Sequence, residues 1–478
     1  MFINIGYIVL PVLCSVLAVL SAMSSWLKTL KHSALILSKF SLGKMATCKT
    51  SRERIKEVAD LTEYHETAAC LADLVRQDGA GSWPPRANHT HSTWPAALRP
   101  YKEIYHEMAP LLAAVNISLD DDVNRQRVTH FRSRFQQLLS ERVNLGEVTQ
   151  LLEAADAGRW DVFPRDVYNA FYSCIAWCRH AYRWGTIPAV KVAQLEKTVS
   201  LPPELTTPWT SLQSHFGLSS DAGNMMANLV LNFAAPPSGE YVYRINTGLP
   251  EEVTASEESF ARVAHDMEAL ALPVYCDVVG AIVSFARGDL PACLARVRAV
   301  AAQLRPVLGS YYEKVHDGKI ARSVWLSRVQ GFYAWGAGRE DPVSGKWEVF
   351  DGLSGNQVLL FQVLDAFLGM EPYLTREVLE RNVPRLQREF CAAVGRHAFR
   401  KLLGDEGVEG RIREEMAEIV KRLRLFRSAH RTRAKFYLTV PAPERLPMTA
   451  GKSLLKADME QSMQFLDQFM LSRLQQTV

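Results

Sequence analysis

The chain has 478 residues, 48% hydrophobic and 22% charged, the ordinary composition of a globular protein. Its formal net charge of +4 is small for this length, and no basic run is interleaved with aromatics, which excludes a nucleic-acid surface as the main partner. The length is enough to bury one large core or two smaller ones.

Residues 1–27 carry no charged side chain, and Lys28, Lys31, Lys39, Lys44, Lys49, Arg52 and Arg54 follow. That stretch is long enough to cross a bilayer as a helix, and the basic flank then puts the body of the protein on the cytoplasmic side. The competing reading is an apolar leader that never inserts. With no charge before the apolar run and no small-residue cleavage site, a removed signal peptide is disfavoured. Residues 28–51 read as a basic linker. The sequons at Asn88 and Asn116 are expected to go unused on the cytoplasmic side.

The pattern is helical over 52–79, and 82–100 is a loop rich in Pro and Trp. Helices are expected over 101–116, 119–141, 145–157 and 164–183, with Pro188, Pro202 and Pro203 marking breaks, so that 52–205 forms a small helical domain. His89 and His91 make an HxH pair without a third ligand in view, a weak zinc signal. Cys174 and Cys178 lie one helical turn apart among apolar residues and read as core thiols of a reducing compartment.

The second half, 206–478, is read as a larger helical domain. The segment 208–233 ends Asn224-Met225-Met226-Ala227-Asn228-Leu229-Val230-Leu231-Asn232-Phe233, and Tyr241 to Ile245 alternates as a short strand would. Two helical stretches cover 255–303, opened by Ser256, Glu257 and Glu258 and divided at Arg287-Gly288-Asp289. On the first, Phe260, Ala264 and Glu268 share a face, with His265 beside it. A further apolar helix over 319–335 carries Trp325 and Arg328. The glycine-rich turn at 351–355 lacks the Lys-Ser/Thr of a phosphate loop.

Two stretches near the C-terminus hold the strongest signals. From Val358 to Leu368 the chain is apolar nearly all round except for Asp365, a carboxylate that in a core needs a cationic or hydrogen-bonding partner. Ile412, Met416, Ile419, Leu423 and Phe426 follow at steps of four and three, the stripe of a core-facing helix, and the next position on that stripe is His430. An imidazole there is either a satisfied core histidine or a ligand. Asp365 and His430 together fit the pattern in which a carboxylate accepts the Nδ1 proton while Nε2 binds a metal. Pro441 and Pro443 end the helix, 447–455 reads as a loop, and a last helix is expected over 456–474.

Arg427-Ser428-Ala429-His430 with Lys435-Phe436-Tyr437, and Leu353-Ser354-Gly355-Asn356-Gln357 with Phe361-Gln362, Asp365 and Leu368-Gly369, resemble the proximal-histidine helix and the haem-edge turn of the indoleamine 2,3-dioxygenase family. The likeness spans roughly 200–470. It implies haem b held by His430 as axial ligand, Asp365 as that imidazole's partner, Arg427 against a haem propionate, and Ser354 and Gly355 at the haem edge. It further implies a distal pocket of Phe260, Ala264, His265, Trp325 and Arg328, with Phe260 stacking on substrate, His265 able to reach bound dioxygen, and Arg328 pairing with a substrate carboxylate. Met225 and Asn228 stand where better-known members have a tyrosine and a cysteine, and Thr449 and Gly451 retain part of a substrate-closing loop.

The fold expected is therefore all-α, a small and a larger helical domain behind an apolar N-terminal helix. The resemblance implies a monomeric dioxygenase that adds dioxygen across the C2–C3 bond of tryptophan or a related indole, giving an N-formylkynurenine-type product, with an electron donor keeping the iron reduced. The alternatives are a relative acting on another indole, a haem sensor without turnover, and a helical interaction protein without haem.

Overall fold

The computed structural model describes residues 50–76, 85–235, 238–341, 345–438, 442–446, 448–449, 452–453 and 459–478. The apolar stretch 1–27 and nearly all of the basic segment after it lie outside the described residues. Among the described residues, one helix is long and apolar enough to cross a membrane, Glu251–Ala286, and 67% of its apolar window is buried inside the protein. It is a core helix, and it lends the expected N-terminal anchor no support.

The body is mostly helical, as the periodicity predicts, and Arg54–Val478 forms one compact unit. The helical pattern over 52–79 resolves into Ser51–Ala59 and Glu66–Arg76 (α1). Then come α2 (Arg99–Leu112), α3 (Asp121–Arg142), α4 (Leu145–Asp156), α5 (Arg165–Trp184) and α6 (Pro203–Phe216). Asp120 starts α3 by accepting from the backbone N–H groups of Asp122 and Val123, and Gly185 and Gly217 end α5 and α6 at φ of 65° and 64°. One hydrophobic core runs from Val58 to Met448 and includes residues on both sides of the boundary drawn at 205.

The later half is built on α7 (Glu251–Ala286), α8 (Leu290–Lys314), α9 (Leu359–Phe367), α10 (Arg385–Arg396), α11 (Gly407–Leu438) and α12 (Met459–Gln476). Helix α7 starts after Pro250, one and a half turns earlier than the Ser256-Glu257-Glu258 signature suggests, and Ser256 and Glu257 are buried in its interior. Gly288, at φ 72°, makes the turn into α8. Among the described residues, strands are confined to two small antiparallel pairs, Gly338–Glu340 with Trp347–Val349 and Met448–Thr449 with Lys452–Ser453; the second lies in the segment read as a loop. The expected strand over 241–245 is only a bridge between Phe233 and Tyr241.

Two histidines are packed into this core as neutral rings. His180 Nδ1 donates to the Phe332 carbonyl at 2.7 Å while Nε2 accepts the Gly223 N–H at 3.0 Å, so both nitrogens are committed to one tautomer. His89 donates from Nε2 to the Leu231 carbonyl at 2.8 Å, and its Nδ1 is buried without a partner. His91 turns instead to Glu103, so the two histidines of the HxH pair have separate roles. Burial lowers the pKa of His89 to about 3 and of His180 to about 4. Because both values are depressed in the folded state, the unfolded chain binds the extra protons below about 6.5. Their contribution to stability is thus complete above that pH and is lost as the pH falls toward the folded values. At pH 5 each ring should cost about 2 kcal/mol of folding free energy. Urea unfolding at pH 7.5 and pH 5 checks this, and His180→Gln, which keeps both hydrogen-bonding functions without titrating, should flatten part of the dependence.

Candidate functional site

The apolar stripe of α11 is buried as its spacing requires: Ile412, Met416, Ile419, Leu423 and Phe426 are all inaccessible or nearly so. One turn beyond Phe426, His430 leaves the solid core and lines a cavity of about 760 Å³. Its ring lies 5.9 Å from that of Tyr311 on α8 and 6.0 Å from that of Phe426, and these apolar faces push its pKa down to about 4. Among the described residues neither ring nitrogen has a hydrogen-bond partner, and the lowered pKa leaves the imidazole neutral at pH 7.

Asp365 is on the wall of the same cavity, but it does not meet His430. Its two oxygens accept from Nη2 of Arg427 at 2.7 and 2.9 Å, and Arg473 of α12 closes on Oδ2 as well. The expected Asp365–His430 hydrogen bond is therefore replaced by a carboxylate shared between two guanidinium groups. A carboxylate among apolar side chains is worth most to a bidentate, permanently charged partner, and Arg427 sits on the same face of α11, three residues before His430. Nη1 of Arg427 also donates to Thr477 Oγ1 at 2.6 Å. Both arginines are desolvated, which lowers each to about 10, still cationic at neutral pH. The cluster carries one net positive charge at the cavity wall.

A third side of the cavity comes from the turn before α9. Ser354 Oγ accepts from the backbone N–H and the side-chain amide of Asn356, fixing a tight turn that exposes Gly355. A Cβ on Gly355 would meet nothing within 4 Å, so this backbone borders open space. Glu268, buried on α7, accepts the Leu359 N–H at 2.6 Å and so caps the start of α9. Gln357 accepts the Met225 N–H at 2.9 Å and holds Met225 against the cavity. Asn228 does not reach it: it is fully buried, with its carbonyl on the Trp177 indole.

Of the distal residues expected, Phe260, Ala264 and Trp325 line the cavity, the Phe260 and Trp325 rings 4.4 Å apart. His265 and Arg328 do not. His265 bonds through Nδ1 to the Val230 carbonyl at 2.9 Å and packs on Phe233, because it lies a residue beyond the face that Phe260 and Ala264 define. Arg328 donates to the carbonyls of Ala114 and Val115. The cause is a π-helical turn over Trp325–Val329. It spaces the cavity-facing residues by five, so that Gln330 follows Trp325, with Tyr333 three further on, while Arg328 turns away. The Arg328 carbonyl in this widened turn accepts from Asn246 Nδ2 at 3.1 Å.

A family model for indoleamine 2,3-dioxygenase matches residues 165–468. The chain belongs to the indoleamine 2,3-dioxygenase family. The match starts at α5, earlier than the motifs alone indicated, and takes in every wall of the cavity except its last helical turns. No curated protein matches the chain. Among the cavity residues not singled out from the sequence are Met267, Gln330, Tyr333 and Arg473. The first three look like ordinary core positions on an apolar helix, and Arg473 carries no periodic signal.

The shared carboxylate can be tested without any ligand. Asp365→Leu leaves Arg427 and Arg473 buried, facing each other without a counter-charge, and removing one partner of a buried ion pair costs about 3–5 kcal/mol. Urea denaturation should register that loss, with Arg473→Met in the same background restoring part of it. A change below about 1 kcal/mol would mean that the three side chains are not coupled.

Proposed function

We propose that this chain binds haem b through His430 and adds both atoms of dioxygen across the C2–C3 bond of an indole, tryptophan or a relative of it, giving an N-formylkynurenine-type product. The observation that carries the reading is the neutral imidazole of His430, without a partner among the described residues, on the wall of a large, mostly apolar cavity in a chain of this family.

The residues present fit such a group. Cofactor cavities commonly enclose about 300–1,000 Å³, and neutral imidazole is a standard axial donor to haem iron. The surplus positive charge of Arg427, Asp365 and Arg473 suits the carboxylates at the edge of a haem, and the bare backbone at Gly355 leaves room for a flat ring system. Haem, when bound, supplies the activation of dioxygen. The chain itself would hold it through a nitrogen of His430, would offer the cations of Arg427 and Arg473 to its carboxylates, and would keep water out with an apolar enclosure. Phe260 and Trp325 offer ring faces on which a planar substrate stacks. No residue is required as a general base.

The outward turn of Arg328 favours a related indole over tryptophan itself, since the guanidinium expected for a substrate carboxylate is spent on the Ala114 and Val115 carbonyls. Purified protein should show the absorption of a histidine-ligated haem, and His430→Ala should lose the haem while keeping its far-ultraviolet helicity. Full haem occupancy in that variant would overturn the assignment of His430. Mass analysis after incubation with L-tryptophan and with tryptamine then reads the substrate, each expected product being heavier by two oxygen atoms.

A further inference from the structure

The wall that holds Phe260 and Trp325 carries a phenol, Tyr333, whose hydrogen bonding is set by groups outside the cavity. Tyr333 lines the cavity, its ring 5.7 Å from that of Phe260, and is otherwise buried. Its position is fixed from behind. The Tyr333 carbonyl accepts the Leu353 N–H at 2.9 Å, and a Cβ on Gly352 would come within 1.9 Å of that carbonyl oxygen, so only glycine lets the two segments approach this closely.

The Tyr333 hydroxyl lies 3.4 Å from the hydroxyl of Tyr241, which in turn lies 3.0 Å from Oε1 of Glu257. Glu257 is fully buried on α7, one turn before Phe260. Its Oε1 also accepts the Ile245 N–H at 2.7 Å, and its Oε2 accepts both the backbone N–H and the side-chain amide of Asn246, each at 2.9 Å. Burial raises the Glu257 carboxyl, and these N–H donors with the Tyr241 hydroxyl oppose that rise. Three of the four donors are amides and cannot reverse; with Tyr241 as the fourth, they fill the four acceptor sites of a carboxylate.

The direction of the chain follows. Tyr241 has one hydroxyl proton, and it is committed to Glu257. In any hydrogen bond across the 3.4 Å between the two phenols, Tyr333 must then be the donor and Tyr241 the acceptor. A phenol that has given up its one proton in this way has only lone pairs left. On the reading that this cavity takes an indole, we infer that Tyr333 is a specificity-determining residue, an acceptor fixed in an apolar wall that selects aromatic heterocycles carrying a ring N–H. Tyr241 and Glu257 are its positioning residues. A ligand with an alkylated nitrogen or a ring oxygen has no proton to give, and leaves the buried acceptor unmet.

The test uses haem-loaded protein and equilibrium titrations, read from the change in haem absorption or from heat, with three probes: indole, 1-methylindole and benzofuran. A buried hydrogen bond of this kind is worth about a fivefold to tenfold preference for indole over each of the other two. Tyr333→Phe should bring that ratio to within about twofold, because it removes both the hydrogen bond to indole and the unmet acceptor that the other two leave. Any steric effect of the methyl group is the same in both proteins and cancels in the comparison. Tyr241→Phe leaves Tyr333 in place but frees its proton, and should narrow the indole-to-benzofuran ratio by strengthening benzofuran, a change that a purely structural role would not produce. If haem and indole bind and the ratios do not move in Tyr333→Phe, the inference falls and the haem dioxygenase reading stands. If the protein takes up neither haem nor indole, both fall.

Discussion

A single buried carboxylate organises the lower half of the cavity. Asp365 is the one charge on an otherwise apolar helix, and its partners come from two others, Arg427 on α11 and Arg473 on α12. Desolvating three charged groups is costly, and only short, multidentate contacts offset it. Such contacts tolerate little sliding, so the three helices are held in one relative register. His430 inherits that register. It is three residues beyond Arg427 on the same helix face, and the arginine that locks α11 against α9 also sets where the imidazole emerges. Because Asp365 is claimed by arginines, both nitrogens of the ring stay free of partners among the described residues.

This arrangement differs from the carboxylate–histidine pair that the sequence suggested, and the difference follows from what a sequence encodes. The apolar steps through Ile412, Met416, Ile419, Leu423 and Phe426 state plainly that a helix face is buried and that His430 continues it. The isolation of Asp365 states equally plainly that a partner is needed. Which partner is a matter of tertiary geometry: Arg427 is 62 residues away and His430 only one turn further, and periodicity does not choose between them. Arg473 was invisible because a lone arginine in an amphipathic C-terminal helix is what any solvated helix shows.

The distal side was less legible, for a local reason. A period of 3.6 puts Trp325 and Arg328 on the same side of a helix, and the π turn at Trp325–Val329 breaks that period without any proline or glycine to announce it. The turn is stable because the backbone group it displaces finds a partner, Asn246, in a segment more than 80 residues earlier. Glu257 misleads in the opposite way. Acidic residues in a row mark helix starts, yet this one lies inside the helix with its carboxyl oxygens met by the N–H groups of Ile245 and Asn246.

The same short segment thus supports both features of the distal wall. Asn246 offers its backbone N–H and side-chain amide to Glu257, and the amide also reaches the Arg328 carbonyl. Through Glu257 it fixes the direction in which Tyr241 and Tyr333 donate, and through Arg328 it holds the turn that brings Gln330 and Tyr333 round to the cavity. None of the groups that decide this polarity touches the cavity space itself. A wall of Phe260, Ala264 and Trp325 would accept any flat apolar molecule of the right size, and shape alone discriminates weakly between isosteres. The Tyr333 oxygen is a group there that can tell one heterocycle from another, and whether it gives or takes a proton is decided two hydrogen bonds away, by amide groups that cannot change their role.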